Sequence, residues 1–381
     1  MKTKAGFSNY FLIVLFLLIL LSPFIQQLFR IVPPMENKEN RKLSEKPEFN
    51  PALLDPFPAA FESWYNDTFP FRNQFVKIYA DVSVDWFNKS PFPDLVIFGK
   101  RPNLFMVDKE LDTYMKNNLF TREELDRIRS EFKYRKEYLS GKGIDYYVAV
   151  CPTKYSVYPE YLPWYITPRD TISRTDQFVS LIKELGITMI DLREVLVNAK
   201  DSVSDPLFTA TDNHWNEIGS FFGYREIMKH IRKKHREISI PDFADFKIRK
   251  QDRDGGNLAH MINMHERLRD VKYVFTPVTN KYTTSITPCP YPPPANFQES
   301  EFFKGYYRQN SDLPRILIIH DSFGKLVYPY FKDSFSRTVF IWDKWQYKLN
   351  EPIVEAEQPD IYLSLTVESL LGAVAENCIM R

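Results

Sequence analysis

The sequence predicts an α/β domain around a mainly parallel sheet, preceded by one membrane-spanning helix. Three observations predict it. From Val96 to Leu365, short apolar runs of strand length alternate with amphipathic stretches of helical period. The apolar stretch Phe11–Phe29, FLIVLFLLILLSPFIQQLF, is long enough to cross a bilayer as a helix. At 381 residues, 44% hydrophobic and 26% charged, the chain has room for one large domain or two ordinary ones.

Taken in order, Lys2 and Lys4 precede the apolar stretch, as a cytoplasmic N-terminus requires, and Arg30 follows it. The next residues, Ile31-Val32-Pro33-Pro34, offer no small-x-small cleavage site. An uncleaved signal anchor is therefore preferred to a removed leader. The segment ENKENRKLSEKPEFNP reads as a tether or an extended arm. From Phe61 to Phe87 the aromatics Phe61, Trp64, Tyr65, Phe69, Phe75, Tyr79 and Trp86 fit one or two amphipathic helices. Val96–Gly99 is a strand ending in a turn. Thr121-Arg122-Glu123-Glu124 opens a helix with a capping pattern, running to Gly141. Ile144–Val150 is a strand, Asp176–Leu185 a helix stopped at Gly186, and Ile187–Leu192 the next strand. Asn216–His235 is a long helix. Arg315–Ile319 is a buried strand followed by a short helix, and Thr338–Trp342 and Asp360–Leu365 complete the set. Pro288, Pro290 and Pro292–Pro294 mark a long loop insertion. The expected division is 1–31 tail and anchor, 32–90 tether and helical arm, and 91–381 the α/β domain, with the insertion at 241–312.

Composition excludes some classes of function. With 50 basic and 49 acidic residues, the formal net charge is +1, so no global field recruits nucleic acid. The densest basic run, Arg232-Lys233-Lys234, ends a helix, where cations complement the dipole. The 3 cysteines have neither metal-site spacing nor an even count for a disulfide framework, and Cys151 reads as a buried small hydrophobe. Neither a metal nor a cofactor is expected. Aromatics at 15% suit stacking on sugars, but cores and membrane interfaces use the same residues.

Two segments carry candidate chemistry. Thr211-Asp212-Asn213-His214-Trp215 precedes a helix, and Leu317-Ile318-Ile319-His320-Asp321-Ser322-Phe323-Gly324 runs an apolar strand into a serine. A turn after a buried parallel strand places Ser322 at the sheet's carboxyl edge, where ligands of open α/β sheets bind. Free backbone N–H groups there can hold an oxyanion. Asp212 can fix the tautomer of His214 and leave its other nitrogen facing a serine. The structural alternatives are helix capping by Ser322 and by Asp212. Together the segments supply a nucleophile, a base and an orienting carboxylate.

Read together with the anchor, the Glu39-Asn40-Arg41 arm with Pro47, Cys151-Pro152-Thr153-Lys154, Tyr158–Pro163, Asn257-Leu258-Ala259 and Asp321-Ser322-Phe323, the chain resembles the AlgJ/AlgX-type polysaccharide O-acetyltransferases, or DHHW-type proteins. The resemblance implies an SGNH-hydrolase-like three-layer domain with the catalytic motifs in permuted order, the serine following the Asp-His pair. It implies that Ser322 takes an acetyl group, His214 is the base and Asp212 orients it, with Ser322 and Phe323 amides at the oxyanion. A tyrosine shortly after the serine, here Tyr328, belongs to the implied active site, with Phe323 and Asn257 in support. Departures are His320 before the serine block, where a small residue is usual, and Gly256-Asn257-Leu258 for a Gly-Asp-Leu motif. The short stretch after the last strand points to a single-domain, AlgJ-like form. Implied partners are an exported polysaccharide, a membrane-bound O-acyltransferase that delivers acetyl groups, and the membrane itself. The implied location is a single-pass anchor in the cell inner membrane with the catalytic domain in the periplasm or extracytoplasmic space. A carbohydrate acetylesterase with the same three residues, and a catalytically silent scaffold of an export complex, are the alternative readings.

Overall fold

The computed structural model describes residues 3–33, 43–49, 51, 55–100, 102–279, 283–293, 299–309, 311–343, 349–378 and 380. Lys2, the Glu39-Asn40-Arg41 segment and Pro294 lie outside them. The chain divides into two compact units, Met1–Phe92 with His260–His265, and Pro93–Ala259 with Glu266–Arg381.

The first unit is helical. Helix α1, Thr3–Phe29, contains the span Asn9–Phe29, with a mean hydropathy of 2.4. It is the one helix among the described residues long and apolar enough to cross a membrane. Just beyond it, the Gln26 side chain clamps the Val32 backbone, accepting its N–H at 2.9 Å and donating to its carbonyl at 2.5 Å. Helices α2 (Pro56–Thr68) and α3 (Arg72–Phe87) split the aromatic stretch at Pro70, and Asn88, with φ 50°, ends α3 in the left-handed region.

The second unit is an α/β sandwich. In chain order its helices include α4 (Asp108–Met115), α5 (Arg122–Gly141), α6 (Lys154–Val157), α7 (Arg174–Glu184), α8 (Arg193–Lys200) and α9 (Glu217–Arg232). Its strands are β1 (Val96–Phe98), β2 (Leu104–Met106), β3 (Asp145–Cys151), β4 (Thr188–Asp191), β5 (Phe246–Asp254), β6 (Arg269–Pro277), β7 (Thr283–Ile286), β8 (Phe303–Arg308), β9 (Arg315–His320), β10 (Arg337–Trp342) and β11 (Ile361–Val367). The main sheet has the order β4-β3-β11-β9-β10-β8-β7. Its first five strands are parallel, while β8 and β7 join antiparallel.

Both faces of the parallel part are covered, as buried parallel sheets require. Alternate residues of each strand enter opposite cores. Tyr147, Ala149, Ile316, Ile318 and Leu363 meet α8 and α9 on one side. Tyr146, Val148, Val150, Leu317 and Ile319 meet α5 and α7 on the other. The predicted strands stand within a few residues of their expected positions. The Thr121–Glu124 capping box is formed, and a second one, Ser173–Asp176, starts α7. Gly186 takes φ 67°, which lets the chain turn from α7 into β4 at little cost.

The expected loop insertion at 241–312 is corrected by the structure. It holds β5 and β6, paired over nine residues, and the last two strands of the main sheet, β8 and the edge strand β7. β5 reads Phe-Lys-Ile-Arg-Lys-Gln-Asp-Arg-Asp and is exposed along most of its length, so no apolar alternation announces it. Cross-strand charges hold its open end, with Arg269 paired to Asp252 and Asp254.

Candidate active site

The turn that carries Ser322 is set by β9. Its last residue, His320, is fully buried, and the following Asp321 acts as N-cap of the tight turn Ser322–Val327. One Asp321 carboxylate oxygen accepts the Phe323 N–H at 2.9 Å and the other accepts the Val367 N–H at 2.6 Å. This buried carboxylate fastens the turn to the end of β11. It thereby holds Ser322 at the carboxyl edge of the sheet, half-buried. Capping by Ser322 itself, the structural alternative, is thus taken over by its neighbour. The Phe323 amide, expected at the oxyanion, is corrected: its hydrogen is spent on Asp321, because an N-cap carboxylate claims the first free amide of the turn.

The base loop runs from Thr209 to Asn216. Asn216 caps α9, accepting from Ile218 and Gly219 N–H at 2.9 and 3.0 Å, so Asp212 is released from a capping role. Asp212 Oδ1 lies 2.7 Å from His214 Nδ1 and also accepts the His214 amide at 3.1 Å. Its Oδ2 accepts the Asn257 amide at 2.9 Å. His214 Nε2 lies 2.9 Å from Ser322 Oγ. An ionised carboxylate only accepts, so Nδ1 carries the proton and Nε2 is left to accept from the serine hydroxyl. Burial opposes charge on both groups. The hydrogen bond and attraction between them prevail, holding Asp212 well below the usual carboxylate range and His214 above the usual imidazole value.

The structure therefore brings Asp212, His214 and Ser322 into one line, although the first and last are encoded more than a hundred residues apart. Phe323 supports that line, its ring 5.0 Å from the His214 ring and its carbonyl accepting Trp215 Nε1–H at 3.0 Å. The Asn257 side chain reaches Asn213 Oδ1 at 3.4 Å, while its backbone serves Asp212. Tyr328 is placed differently. Its hydroxyl lies 2.9 Å from His320 Nε2, while His320 Nδ1 lies 2.6 Å from the Asp321 carbonyl. A carbonyl only accepts, so His320 donates from Nδ1 and accepts from the tyrosine. Burial holds His320 down at about 4, keeping the ring neutral. Tyr328 thus braces the end of β9 rather than Ser322.

Three further residues shape the site: Lys154, part of the Cys151–Lys154 motif but with no role read from it, and Asp270 and Glu110, which the sequence did not single out. Lys154, at the start of α6 and almost fully buried, donates from Nζ to the carbonyls of Leu104 (3.0 Å), Thr209 (2.8 Å), Ala210 (2.7 Å) and Asp212 (3.4 Å). Burial pushes it down to about 7, against the pull of Asp270, Asp212 and Glu110. Asp270, on β6, takes the opposite polarity: it accepts from the Ala210 and Thr211 amides at 3.1 and 3.3 Å and from the Thr211 hydroxyl. One cation collects the loop's carbonyls and one anion its amides, which fixes the backbone that carries Asp212. Glu110, buried on α4, accepts from Asn213 Nδ2 at 2.8 Å, and burial pushes it up to about 7. Among the described residues, no group of three or more His, Cys, Asp or Glu side chains is placed to hold a metal ion.

Comparison with known proteins adds the family. A family model described as the SGNH hydrolase-like domain of the acetyltransferase AlgX matches residues 96–287, a stretch that includes Asp212 and His214 and stops before Ser322. The probable alginate O-acetylase AlgJ of Pseudomonas aeruginosa is 26% identical over 185 residues, 49% of this chain and 45% of that protein. The matched stretch thus spans under half the length of that curated relative. Among solved structures, Bacillus cereus PatB1 superposes with a TM-score of 0.54 at 16% identity, covering 73% of this chain and 97% of that one. A DHHW family protein from Eubacterium siraeum gives 0.51 at 17%, covering 68% and 90%. These structural likenesses show the fold alone, a mainly parallel sheet with helices on both faces. With half of its residues matched, the chain belongs to the family of AlgX-type, SGNH hydrolase-like acetyltransferase domains.

Proposed function

We propose that this chain is a membrane-anchored O-acetyltransferase that moves acetyl groups onto a polysaccharide through an acetyl-serine. The observation that carries the reading is the continuous hydrogen-bonded line from Asp212 through His214 to Ser322, at 2.7 and 2.9 Å. In the first half-reaction, His214 Nε2 takes the Ser322 proton as Oγ attacks the carbonyl carbon of an acetyl ester. The Oγ–carbon bond forms, the donor's ester bond breaks, and the donor oxygen leaves with the proton held by His214. In the second, a sugar hydroxyl gives its proton to His214 and attacks the acetyl-serine. The serine oxygen leaves and recovers the proton. The Ser322 amide is the backbone donor available to the oxyanion, since Phe323 donates to Asp321.

The helix α1 serves as a single-pass anchor, with the α/β unit outside the cytoplasm. Lys2 and Lys4 before the span support that orientation, and we assign the span to the cell inner membrane as part of this reading. An alginate-like or other exopolysaccharide is the acceptor, in keeping with the probable alginate O-acetylase among the relatives. A membrane-bound O-acyltransferase is the partner that hands over the acetyl group.

The test is direct. Full-length protein is mixed with an activated acetyl ester, with and without an oligosaccharide acceptor. The expected outcome is an acetyl adduct on the peptide containing Ser322 and acetylated oligosaccharide, both absent in Ser322→Ala. Acetylated product at the wild-type rate in Ser322→Ala overturns the mechanism. Adduct turnover to free acetate that the oligosaccharide leaves unchanged identifies an esterase instead.

A further inference from the structure

The N-terminal unit carries an apolar stripe turned away from its own interior. Along α3, Phe75, Ile78, Tyr79, Val82 and Trp86 recur at helical spacing and share one face. All five are exposed, from 36% at Val82 to 79% at Trp86. The buried residues of the same helix, Ala80, Ser83 and Val84, are small and lie on a different face. An amphipathic helix of a soluble domain has the reverse arrangement, with its large apolar residues inward. Helix α2 repeats the feature. None of its residues is buried, and Phe57, Phe61, Tyr65 and Phe69 contact ring to ring along its length at 5.7–6.2 Å.

What covers such a stripe is indicated by where the unit puts it. The turn between α2 and α3 sits at the end of the apolar span. Gln26, Gln27, Arg30 and Val32 from the exit of α1 and the segment Asp67–Gln74 line one recess of about 440 Å³. α3 therefore starts at the level where α1 leaves the hydrocarbon. Its stripe mixes residue types as bilayer interfaces do: Tyr79 and Trp86 join an apolar ring to a polar tip, while Phe75, Ile78 and Val82 are wholly apolar. Arg72 stands at the start of the helix and Lys89 just past its end, two cations for anionic headgroups, while Lys77 is paired with Asp81 away from the stripe.

Resting on the anchor reading of α1, we infer that α3, together with α2, lies on the outer surface of the membrane with the stripe seated between headgroups and acyl chains. The span and the surface helices then form one two-point attachment. The covering partner is the lipid bilayer itself rather than a protein.

The experiment uses the full chain in vesicles of phosphatidylethanolamine and phosphatidylglycerol. Cys151 and Cys378 are buried, so a Cys289→Ser background allows single fluorophore labels at Ile78→Cys, Trp86→Cys, Leu17→Cys and Glu137→Cys. Leu17 reports the span, and Glu137, exposed in the other unit, reports water. Each label is quenched in turn by lipids with a nitroxide high on the acyl chain, by lipids with one at its end, and by aqueous iodide. The expected result is several-fold stronger quenching by the shallow nitroxide at Ile78 and Trp86 than at Glu137, with iodide quenching several-fold weaker, and deep quenching at Leu17. Iodide access at Ile78 and Trp86 equal to that at Glu137, with Leu17 deep, overturns the inference and leaves the anchor standing. Protection of Ile78 and Trp86 from every quencher shows a protein cover, another chain or a second copy, and also overturns it. Iodide access at Leu17 overturns the anchor and the inference together.

Discussion

Replacing Asp212 by asparagine tests the electrostatic core of the site while keeping its shape. In the native arrangement the carboxylate accepts from three donors: His214 Nδ1–H, the His214 amide and the Asn257 amide. An asparagine has one accepting oxygen. Oriented toward His214, it sets its NH2 group against the Asn257 amide. Oriented toward Asn257, it sets that group against His214 Nδ1, and the ring must then carry its proton on Nε2. In that tautomer His214 cannot take the proton of Ser322. The charge is lost as well. Asp212 Oδ1 and His214 Nδ1 are 2.7 Å apart. With charge centres about 4 Å apart and an effective dielectric of about 20, the carboxylate stabilises the imidazolium by about 4 kcal/mol. That is about a thousandfold in rate, and the tautomer error can bring the loss to about 10⁴-fold. The assay is kcat for acetyl release from an activated ester, measured against pH. In the wild type, activity is expected to fall as acid protonates His214, with Asp212 setting that limb above the usual imidazole value. In Asp212→Asn the limb moves to lower pH as the carboxylate's pull disappears. A variant with kcat within about threefold of wild type and an unmoved limb would refute the charge argument, since about 4 kcal/mol cannot vanish unnoticed.

Other perturbations test the supporting residues. Glu110 is raised to about 7 from an ordinary value near 4.5, so wild-type stability falls as pH climbs between those values and the buried carboxyl ionises. Glu110→Gln is therefore expected to melt close to wild type at acid pH and above it at alkaline pH, by on the order of 1–3 kcal/mol; a constant difference across pH counts against a neutral buried Glu110. Lys154→Met leaves carbonyls of Leu104, Thr209, Ala210 and Asp212 without their shared donor. Each buried acceptor left unmet costs about 1–3 kcal/mol, so the variant should show a lower thermal midpoint and a kcat loss larger than any change in KM. Gly223 faces the Trp215 ring, and a methyl group there would lie 2.7 Å from Cζ3. Gly223→Ala should cost about 1–3 kcal/mol by overpacking and lower kcat through the displaced Trp215–Phe323 contact, read by chemical denaturation and ester turnover.

Much of this architecture was legible because the chemistry and the apolar pattern coincide in the sequence. The run Leu317–Ile319 announces a buried strand, and the polar triplet His320-Asp321-Ser322 that ends it announces an edge. Asp212 and His214 stand two residues apart before a helix, whose cap is Asn216 and not Asp212. What escaped was written in polar residues whose environment is set by distant parts of the chain. Lys154 stands in a motif, but its role is invisible until β2 and the 209–216 loop close over it. Glu110 lies in a helix rich in charge, and only its Asn213 partner, about a hundred residues on, marks it as buried. Strand β5 carries charged residues on both faces because most of it meets water, so period-two reasoning has nothing to detect. The prolines near residue 290 suggest loop because the strands on either side of them, β7 and β8, are short. The Phe323 amide shows the finer limit: its nearest acceptor is a side chain two residues back, and sequence does not tell which acceptor a turn will choose.

The order of strands has a consequence for biogenesis. β3 and β9 touch β11 and not each other, so the segment 361–367 is the keystone of the main sheet. It also supplies the Val367 amide that pins Asp321 beside the nucleophile. A polypeptide threaded through a translocation channel from its N-terminus displays two half-sheets with open apolar edges until that segment emerges. In the proposed orientation, Ser322 thus reaches its place beside His214 only after residues 361–367 have crossed, and a chain stalled before residue 361 is expected to expose apolar sheet edges that holding chaperones and proteases recognise.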